Sequence, residues 1–207
     1  MIIFDLFSGT VSSTQAFEDA GHIVYKFELD DSFEATEHAD IMSLTAEYLL
    51  ATYGRPDFVW ASPPCTAFSV ASMGYHWTGG TRAYIPKTEF AKLSQDLVAY
   101  TINLIKELNP IRGWIMENPR GVLRKLPVVE GLPRYTVTYC QYGDTRMKPT
   151  DLWGVVPNWK PRTMCKNGQP CHEAAPRGAR TGTQGLKGAK DRSRVPYELG
   201  KEILNAL

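Results

Sequence analysis

Cys65 is the residue whose type and setting most clearly suggest chemistry. It lies in Ala61-Ser62-Pro63-Pro64-Cys65-Thr66, directly after the apolar run Asp57-Phe58-Val59-Trp60. That run predicts a buried strand. The two prolines fix φ and remove backbone donors, so the thiol is presented on a stiff, extended loop. A thiol at a strand end, where open α/β sheets place their ligands, is a candidate nucleophile. By itself the hexapeptide favours the plainer reading, a small buried hydrophobe after an ordinary loop; the rest of the chain changes that. Gly113-Trp-Ile-Met-Glu-Asn-Pro119 is a second apolar strand, and it ends on Glu117-Asn118. The turn Tyr142 to Thr150 carries two cations, Arg146 and Lys148. A carboxyl group and cations near a thiol could serve acid-base and nucleophilic catalysis. Singly, Glu117 equally reads as a turn cap and Arg146 with Lys148 as a solvated pair.

The opening of the chain supplies a ligand turn. Met1 to Phe7 predicts a first buried strand, ending at Ser8-Gly9-Thr10. Ser12-Ser13-Thr14 offers N-caps for a helix through about Ala20, stopped at Gly21. Strand, tight glycine turn and helix open a nucleotide-type α/β unit, with the helix amides facing a polar group. His22 to Glu28 predicts the second strand and ends on an acid, roughly 20 residues beyond the first turn, the spacing at which Rossmann-like folds hold ribose hydroxyls. The turn lacks the full Gly-x-Gly-x-x-Gly pattern, which disfavours a dinucleotide but leaves an adenosyl ligand open.

The remaining elements follow from periodicity and breakers. Helices are expected over Ser32 to His38 and from about Thr45 to Tyr53, the latter broken by Gly54-Arg55-Pro56. Phe68 to Pro86 reads as a long loop without internal structure, a lid or binding loop hinged at Gly79-Gly80. Thr88 to Leu108 predicts a helix whose apolar face is Phe90, Leu93, Leu97, Tyr100, Leu104 and Leu108, with Ile105 at its edge and Ile102 outside it. Tyr135 to Cys140 alternates like a strand, and Asp151 to Val156 is a further apolar run. Pro157 to Arg194 is rich in Gly, Pro, Lys and Arg with almost no periodicity, which predicts irregular structure. Val195-Pro196 starts a last helix with Leu199, Ile203, Leu204 and Leu207 as its stripe.

The 207 residues suit one domain. No run is long and apolar enough to span a membrane, and Asp5 interrupts the apolar N-terminus early, unlike a signal segment. The four cysteines, 65, 140, 165 and 171, form no disulfide framework, which fits a reducing compartment. An intracellular protein is expected. Residues 1–145 hold 11 Lys/Arg against 17 Asp/Glu, a net of −6, whereas residues 146–207 hold 12 against 5, a net of +7. A basic C-terminal third on an acidic body suits a polyanion on one face, or a solvated basic surface. Cys165, Cys171 and His172 offer only three evident zinc ligands at an unusual spacing; a structural site needs four, so no metal is assigned.

In order along the chain, these segments resemble the DNA cytosine-5 methyltransferases. Asp5-Leu6-Phe7-Ser8-Gly9 is similar to that family's S-adenosylmethionine turn, and Glu28 and Asp40-Ile41 fall where its ribose and adenine contacts lie. Pro63-Pro64-Cys65 resembles its nucleophile loop, Glu117-Asn118-Pro119 its Glu-Asn-Val signature, Arg146-Met147-Lys148 its Gln-x-Arg-x-Arg segment, and Ser193-Arg194-Val195-Pro196 its C-terminal helix start. Val11 stands where the family has a second glycine, Thr66 replaces the Gln after the nucleophile, the first Gln of the arginine segment is missing and Lys148 replaces its second Arg. Only residues 149–194 stand where the family places a large target recognition domain.

The resemblance implies an α/β, Rossmann-like class I methyltransferase fold with a mixed, mostly parallel sheet flanked by helices. It implies a catalytic core over 1–156, a short basic segment over 157–194 in place of a full recognition domain, and a C-terminal helix over 195–207 packing back on the core. The cofactor would be S-adenosyl-L-methionine, held by Asp5, Phe7, Ser8, Gly9, Glu28, Leu29, Asp40, Ile41 and Pro63. Cys65 would add to C6 of cytosine, Glu117 would bond N3 and the exocyclic amine, Asn118 would orient Glu117, Arg146 would hold O2, and Lys148 would neutralise a phosphate or the Cys65 environment. Duplex DNA with a flipped cytosine is the expected partner, with Arg82, Lys87, Lys166, Arg177, Arg180 and Lys187 toward phosphate. Tyr75, His76 and Trp77 would fill the gap or stack, or else pack. A homodimer or a separate specificity partner is left open. The small size suggests a cytoplasmic enzyme of a bacterial cell, phage-encoded or carried on a mobile element, in DNA modification or restriction-modification. RNA as substrate, and an inactive nucleic-acid-binding or regulatory subunit, are the alternatives.

Overall fold

A computed structural model describes residues 1–79, 84–174 and 188–207. Its main sheet has seven strands: β1 (Ile2–Leu6), β2 (Ile23–Glu28), β3 (Glu37–His38), β4 (Phe58–Ala61), β7 (Gly113–Pro119), β8 (Arg134–Thr138) and β9 (Pro149–Val155), in the order β3-β2-β1-β4-β7-β9-β8. The first five of these neighbours run parallel, and β9 is antiparallel to both β7 and β8. β1 and β4 are almost wholly buried because the sheet is covered on both faces, as the continuous apolar runs require. One face packs against α2 (Ala46–Tyr53) and α4 (Glu89–Leu108), the other against α1 (Gln15–Asp19) and α6 (Tyr197–Ala206). This is the three-layer, Rossmann-like arrangement expected from the sequence. Among the described residues no helix is long and apolar enough to cross a membrane.

Three expectations for the connecting segments are corrected. Ser32 to His38 is not a helix. Its backbone is drawn to the sheet edge, where Thr36 N donates to Lys26 O and Ala39 N to Glu28 O, and β3 pairs with β2. The stretch after Phe68 has structure of its own: α3 (Met73–His76) and a hairpin of β5 (Trp77–Gly79) with β6 (Tyr84–Pro86). Gly80 of the expected hinge lies outside the described residues. The third correction concerns α4, which buries Ala91, Ser94, Val98, Thr101, Ile102, Leu104, Ile105 and Leu108 and leaves Phe90 and Leu93 exposed. The buried face is therefore rotated from the large-residue stripe. Ser94 and Thr101 can be buried because their hydroxyls donate to the carbonyls of Phe90 and Leu97 one turn back. The late irregular segment also contains a short helix, α5 (Ala189–Ser193).

The first turn is built around a buried acid. Ser13 and Thr14 do not cap α1; their hydroxyls donate to Asp5 Oδ2 at 3.1 and 2.5 Å. Asp5 is fully buried and its Oδ1 has no partner. Desolvation therefore pushes its carboxyl up to about 7, against the opposing effect of the Thr14 and Ser13 bonds. A second constraint joins two loops. A Cβ on Gly121 would lie 2.2 Å from the Phe68 carbonyl oxygen, which accepts from Val122 N at 2.9 Å. Only glycine allows the chain after β7 to approach the chain after Cys65 so closely.

Both features are testable. The folded state binds the Asp5 proton more tightly than the unfolded chain does, so this group favours folding at low pH. That contribution is lost as pH rises from about 4 to about 7, by roughly 4 kcal/mol at most. Asp5→Asn removes this slope, read as the difference between the two proteins' denaturant-unfolding free energies at successive pH values. Gly121→Ala forces the two loops apart and lowers the unfolding free energy by about 1–3 kcal/mol, measured by the shift in denaturant midpoint.

Candidate active site

Strand direction gathers the candidate residues. β1, β2, β4 and β7 are parallel, so the segments that follow them lie along one sheet edge. β9 is antiparallel, and its start therefore reaches that same edge, beside the end of β8. Phe7 to Gly9, Cys65 and Tyr139 follow the ends of these strands, Glu28 and Glu117 lie in their last residues, and Lys148 precedes the start of β9. This is the carboxyl edge at which α/β sheets bind ligands.

Cys65 is half-buried and free. Its carbonyl accepts from Phe68 N and Ser69 N, both at 3.0 Å, which curls the chain directly after the thiol. Burial pushes the thiol up from its ordinary range, and the Glu117 carboxylate adds to that rise. Lys148 and Arg192 act in the opposite direction. The sulfur, the carboxyl and two cations therefore share one electrostatic neighbourhood.

Glu117 is buried, and burial raises its carboxyl above the ordinary range; Lys148 and the Tyr139 bond oppose the rise, and Asp151 adds to it. Tyr139 Oη donates to Glu117 Oε1 at 2.8 Å, and Lys148 Nζ lies 4.0 Å from the same oxygen. Lys148 also sits 4.7 Å from the Tyr139 ring centroid and donates to the Arg192 carbonyl at 3.2 Å. Tyr139 is itself fully buried, and its phenol is pushed well above its ordinary value, first by desolvation and then by Glu117. It is a hydrogen-bond donor at the centre of the cluster.

Two expected roles change. Asn118 does not orient Glu117. It is wholly buried, and its Nδ2 donates to the Pro63 carbonyl at 2.9 Å, so it pins the Cys65 loop to the end of β7; its Oδ1 has no protein partner. Arg146 does not offer a donor to a base. Its guanidinium pairs with the Asp144 carboxylate and donates to the carbonyls of Asp191, Arg192 and Arg194. Those contacts use all of the donors a guanidinium has. Arg146 is a clamp that holds the 191–194 stretch over the cation turn.

The turn after β1 lies at the same edge. Phe7, Gly9 and Val11 all have left-handed φ values, of 64°, 46° and 58°. Glu28 accepts from Gly9 N at 2.9 Å on Oε2, and from Leu29 N and Asp30 N at 2.9 and 3.1 Å on Oε1. Ser8 Oγ is buried without a partner, and a Cβ at Gly9 would touch nothing closer than 3.9 Å. Leu29 projects as an exposed apolar side chain. Asp40 is exposed and caps the turn at Ile41 through Oδ1, which accepts from Met42 N at 2.9 Å, while Ile41 itself is core. Asp5 is corrected as a cofactor contact, because it is sealed beneath the turn against Ser13 and Thr14. Pro63 is buried and contributes its carbonyl to Asn118.

Of the aromatic trio, Trp77 and His76 are packing residues. Trp77 Nε1 donates to the Ala67 carbonyl at 2.6 Å and its ring stacks on Phe68, while the His76 ring nitrogen bonds Thr88 Oγ1. Tyr75 is exposed. Lys87 is on the surface and donates to the Gly74 carbonyl at 2.6 Å, and Lys166 is exposed. Arg82, Arg177, Arg180 and Lys187 lie outside the described residues. Tyr139 and Arg192 were missed by sequence reasoning. The one available signal was an aromatic residue closing a strand shortly before the cation turn. Arg192 had none, since its approach to Cys65 depends on the Arg146 clamp.

The charges around the sulfur set a prediction. Glu117→Gln removes an anion, so the pH midpoint for alkylation of Cys65 falls; Lys148→Met removes a cation, so the midpoint rises. Mass spectrometry of the Cys65 peptide after timed iodoacetamide treatment reads both shifts. Midpoints that move together would contradict the arrangement.

The chain matches the C-5 cytosine-specific DNA methylase family over residues 1–126. It is 31% identical to a protein of Frog virus 3 (isolate Goorha) named "Probable DNA (cytosine-5)-methyltransferase", in an alignment covering 99% of each chain. The structure of the Entamoeba histolytica methyltransferase EhMeth shares the fold with a TM-score of 0.54 at 10% identity, over 80% of this chain; the match spans 57% of the EhMeth chain. The chain therefore belongs to the C-5 cytosine-specific DNA methylases, as a short DNA (cytosine-5)-methyltransferase.

Proposed function

We propose that this protein methylates C5 of cytosine in DNA through a covalent bond between Cys65 Sγ and C6 of a base turned out of the stack, with S-adenosylmethionine as methyl donor. The observation that carries the reading is the shared neighbourhood of the Cys65 thiol, the buried Glu117 and Lys148 at the same sheet edge as the Gly9 turn and Glu28.

The residues at the edge fit an adenosyl group. Glu28 is held in place by three backbone amides at the strand end where ribose hydroxyls are bound. Ser8 has an unpartnered buried hydroxyl, and Gly9 takes a left-handed φ of 46° where a Cβ would already meet Phe7 O and Glu28 Oε2 at contact distance. Ser8, Gly9 and Glu28 would hold the cofactor's polar groups, with Phe7, Leu29 and the Asp40-Ile41 turn beside the base. When bound, S-adenosylmethionine supplies the electrophilic methyl group.

The protein's part is to make C5 nucleophilic. Cys65 gives up its thiol proton to solvent, and its sulfur bonds to C6 while the ring π electrons move toward C5. Burial raises the Glu117 carboxyl above its ordinary range, which favours a proton on it when a base is bound. Tyr139 occupies Oε1, so Oε2 is the atom that presents this proton to N3, stabilising the electron density that builds on the ring. Lys148 and Arg192 favour the thiolate. After transfer the C5 proton leaves to water, the ring electrons return, and the C6–S bond breaks to release the thiolate. Residues 1–156 form the catalytic core in this reading, with 157–194 in place of a recognition domain and 195–207 closing the fold.

Tritiated S-adenosylmethionine with duplex DNA is the test. Wild type transfers label, and Cys65→Ser falls below about a thousandth of that rate. DNA containing 5-fluorocytosine traps a denaturation-resistant adduct on the Cys65 peptide, because the fluorine cannot leave as a proton does. An active protein that forms no such adduct would overturn the covalent route. Label on RNA but not on duplex DNA would overturn the substrate.

A further inference from the structure

We propose that Cys140, Cys165, Cys171 and His172 bind a structural zinc ion. Three of these ligands lie close in sequence, and the fold supplies the fourth. Cys140 follows β8 in a turn of 3₁₀-helix, Tyr139–Tyr142, and is buried against the strand end. Cys165 is brought to it by a buried bond from its own amide to Thr138 Oγ1 at 2.8 Å. The chain then reverses through Gly168, at φ 87°, with Gln169 N donating to Lys166 O. That reversal returns Cys171 and His172 to the same point, and Glu173 N fixes them by donating to the Thr145 carbonyl at 2.9 Å.

The four ligand atoms all lie within 4.8 Å of one another. Cys165 Sγ is 3.3 Å from Cys171 Sγ and 3.3 Å from His172 Nδ1; Cys171 Sγ is 3.9 Å from Cys140 Sγ and 3.9 Å from His172 Nδ1. Tetrahedral zinc with ordinary bond lengths separates two sulfurs by about 3.8 Å and a sulfur from a nitrogen by about 3.6 Å. The observed separations bracket those values, so small side-chain adjustments complete the coordination. Three thiolates with one imidazole is an established structural zinc set. The surroundings match as well. Gln141 Nε2 donates to Cys171 Sγ at 3.2 Å, the kind of outer contact that steadies a metal-bound thiolate.

Binding one Zn²⁺ displaces up to three thiol protons to solvent and leaves a closed site with no position for substrate. Its role is structural. The ion ties residues 165–173, which contain no helix or strand, to the 139–145 turn. That turn carries Tyr139 and Asp144, which bond Glu117 and Arg146. The site thus braces the start of the cation turn.

The full chain, purified without chelator, is expected to hold about one zinc per molecule by elemental analysis. Cys171→Ser and His172→Ala lower that content, whereas Cys65→Ser does not. Wild type stripped of metal and refilled with Co²⁺ gives the thiolate-to-cobalt charge-transfer and intense visible bands of a tetrahedral site. Limited proteolysis cuts the 157–174 stretch faster in the stripped protein than in the refilled one. The proposal is overturned if reduced, folded wild type takes up neither zinc nor cobalt, or if Cys165 and Cys171 are recovered as a disulfide that metal and reductant do not replace. Cobalt spectra unchanged by His172→Ala would overturn the ligand set.

Discussion

The site depends on the direction of one strand. β9 enters the sheet between β7 and β8 and runs against both. A parallel strand there would begin at the opposite edge, and Lys148 would be separated from Glu117 by the full height of the sheet. Reversal puts Lys148 and the turn before it at the edge where β1, β2, β4 and β7 finish. The pairing is unusually close at its far end. A Cβ on Gly154, whose φ is 132°, would fall 2.1 Å from the Trp114 carbonyl oxygen. That approach fixes the register, so that Glu117 lies opposite Leu152 and Asn118 opposite Asp151.

Register also sets which acids are neighbours. Asp151 is fully buried near Glu117 and raises its carboxyl. A buried carboxyl group is costly without hydrogen-bond or ionic partners. Asp151 has Arg124 at 3.0 Å and Thr136 at 2.8 Å, whereas Glu117 has only a phenol and a lysine at the edge of ion-pair range. Burial raises the Glu117 carboxyl, at the end of the strand facing Cys65, and Lys148 and the Tyr139 bond oppose that rise.

The strands and their order of use were legible in the sequence because buried parallel strands announce themselves as apolar runs, and six expected strand regions are present. Cys65, Glu117 and Lys148 were legible because each falls at a strand end. The face of α4 was misread, since large residues suggested burial while Ser94 and Thr101 satisfied their hydroxyls within the helix. Arg146 looked like a base contact. Asp144 is a local partner, but the three carbonyls between Asp191 and Arg194 that complete its contacts are more than forty residues away and carry no side-chain signal. Cys140 was read as part of a strand, and nothing local linked it to Cys165, Cys171 and His172. What the sequence hid were relations formed by the return of the chain's C-terminal part.

That return also bears on the first turn. Val11 stands where the resembling family has glycine, yet it keeps the glycine conformation at φ 58°. A β-branched residue there costs about 1–2 kcal/mol. Phe7 is also left-handed, and Asp5 is buried beneath both. Strain is thus concentrated in the turn after β1, and desolvation in the acid sealed beneath it. They are retained because the C-terminus locks the turn from behind. Val195 N donates to Ser12 Oγ at 2.9 Å, and a Cβ on Gly200 would come within 2.8 Å of the Ser13 carbonyl oxygen. The stretch just before Val195 is itself gripped by Arg146 and Lys148. The turn after β1 and the cation turn are therefore anchored to one short segment, and a shift of residues 191–195 would loosen both together.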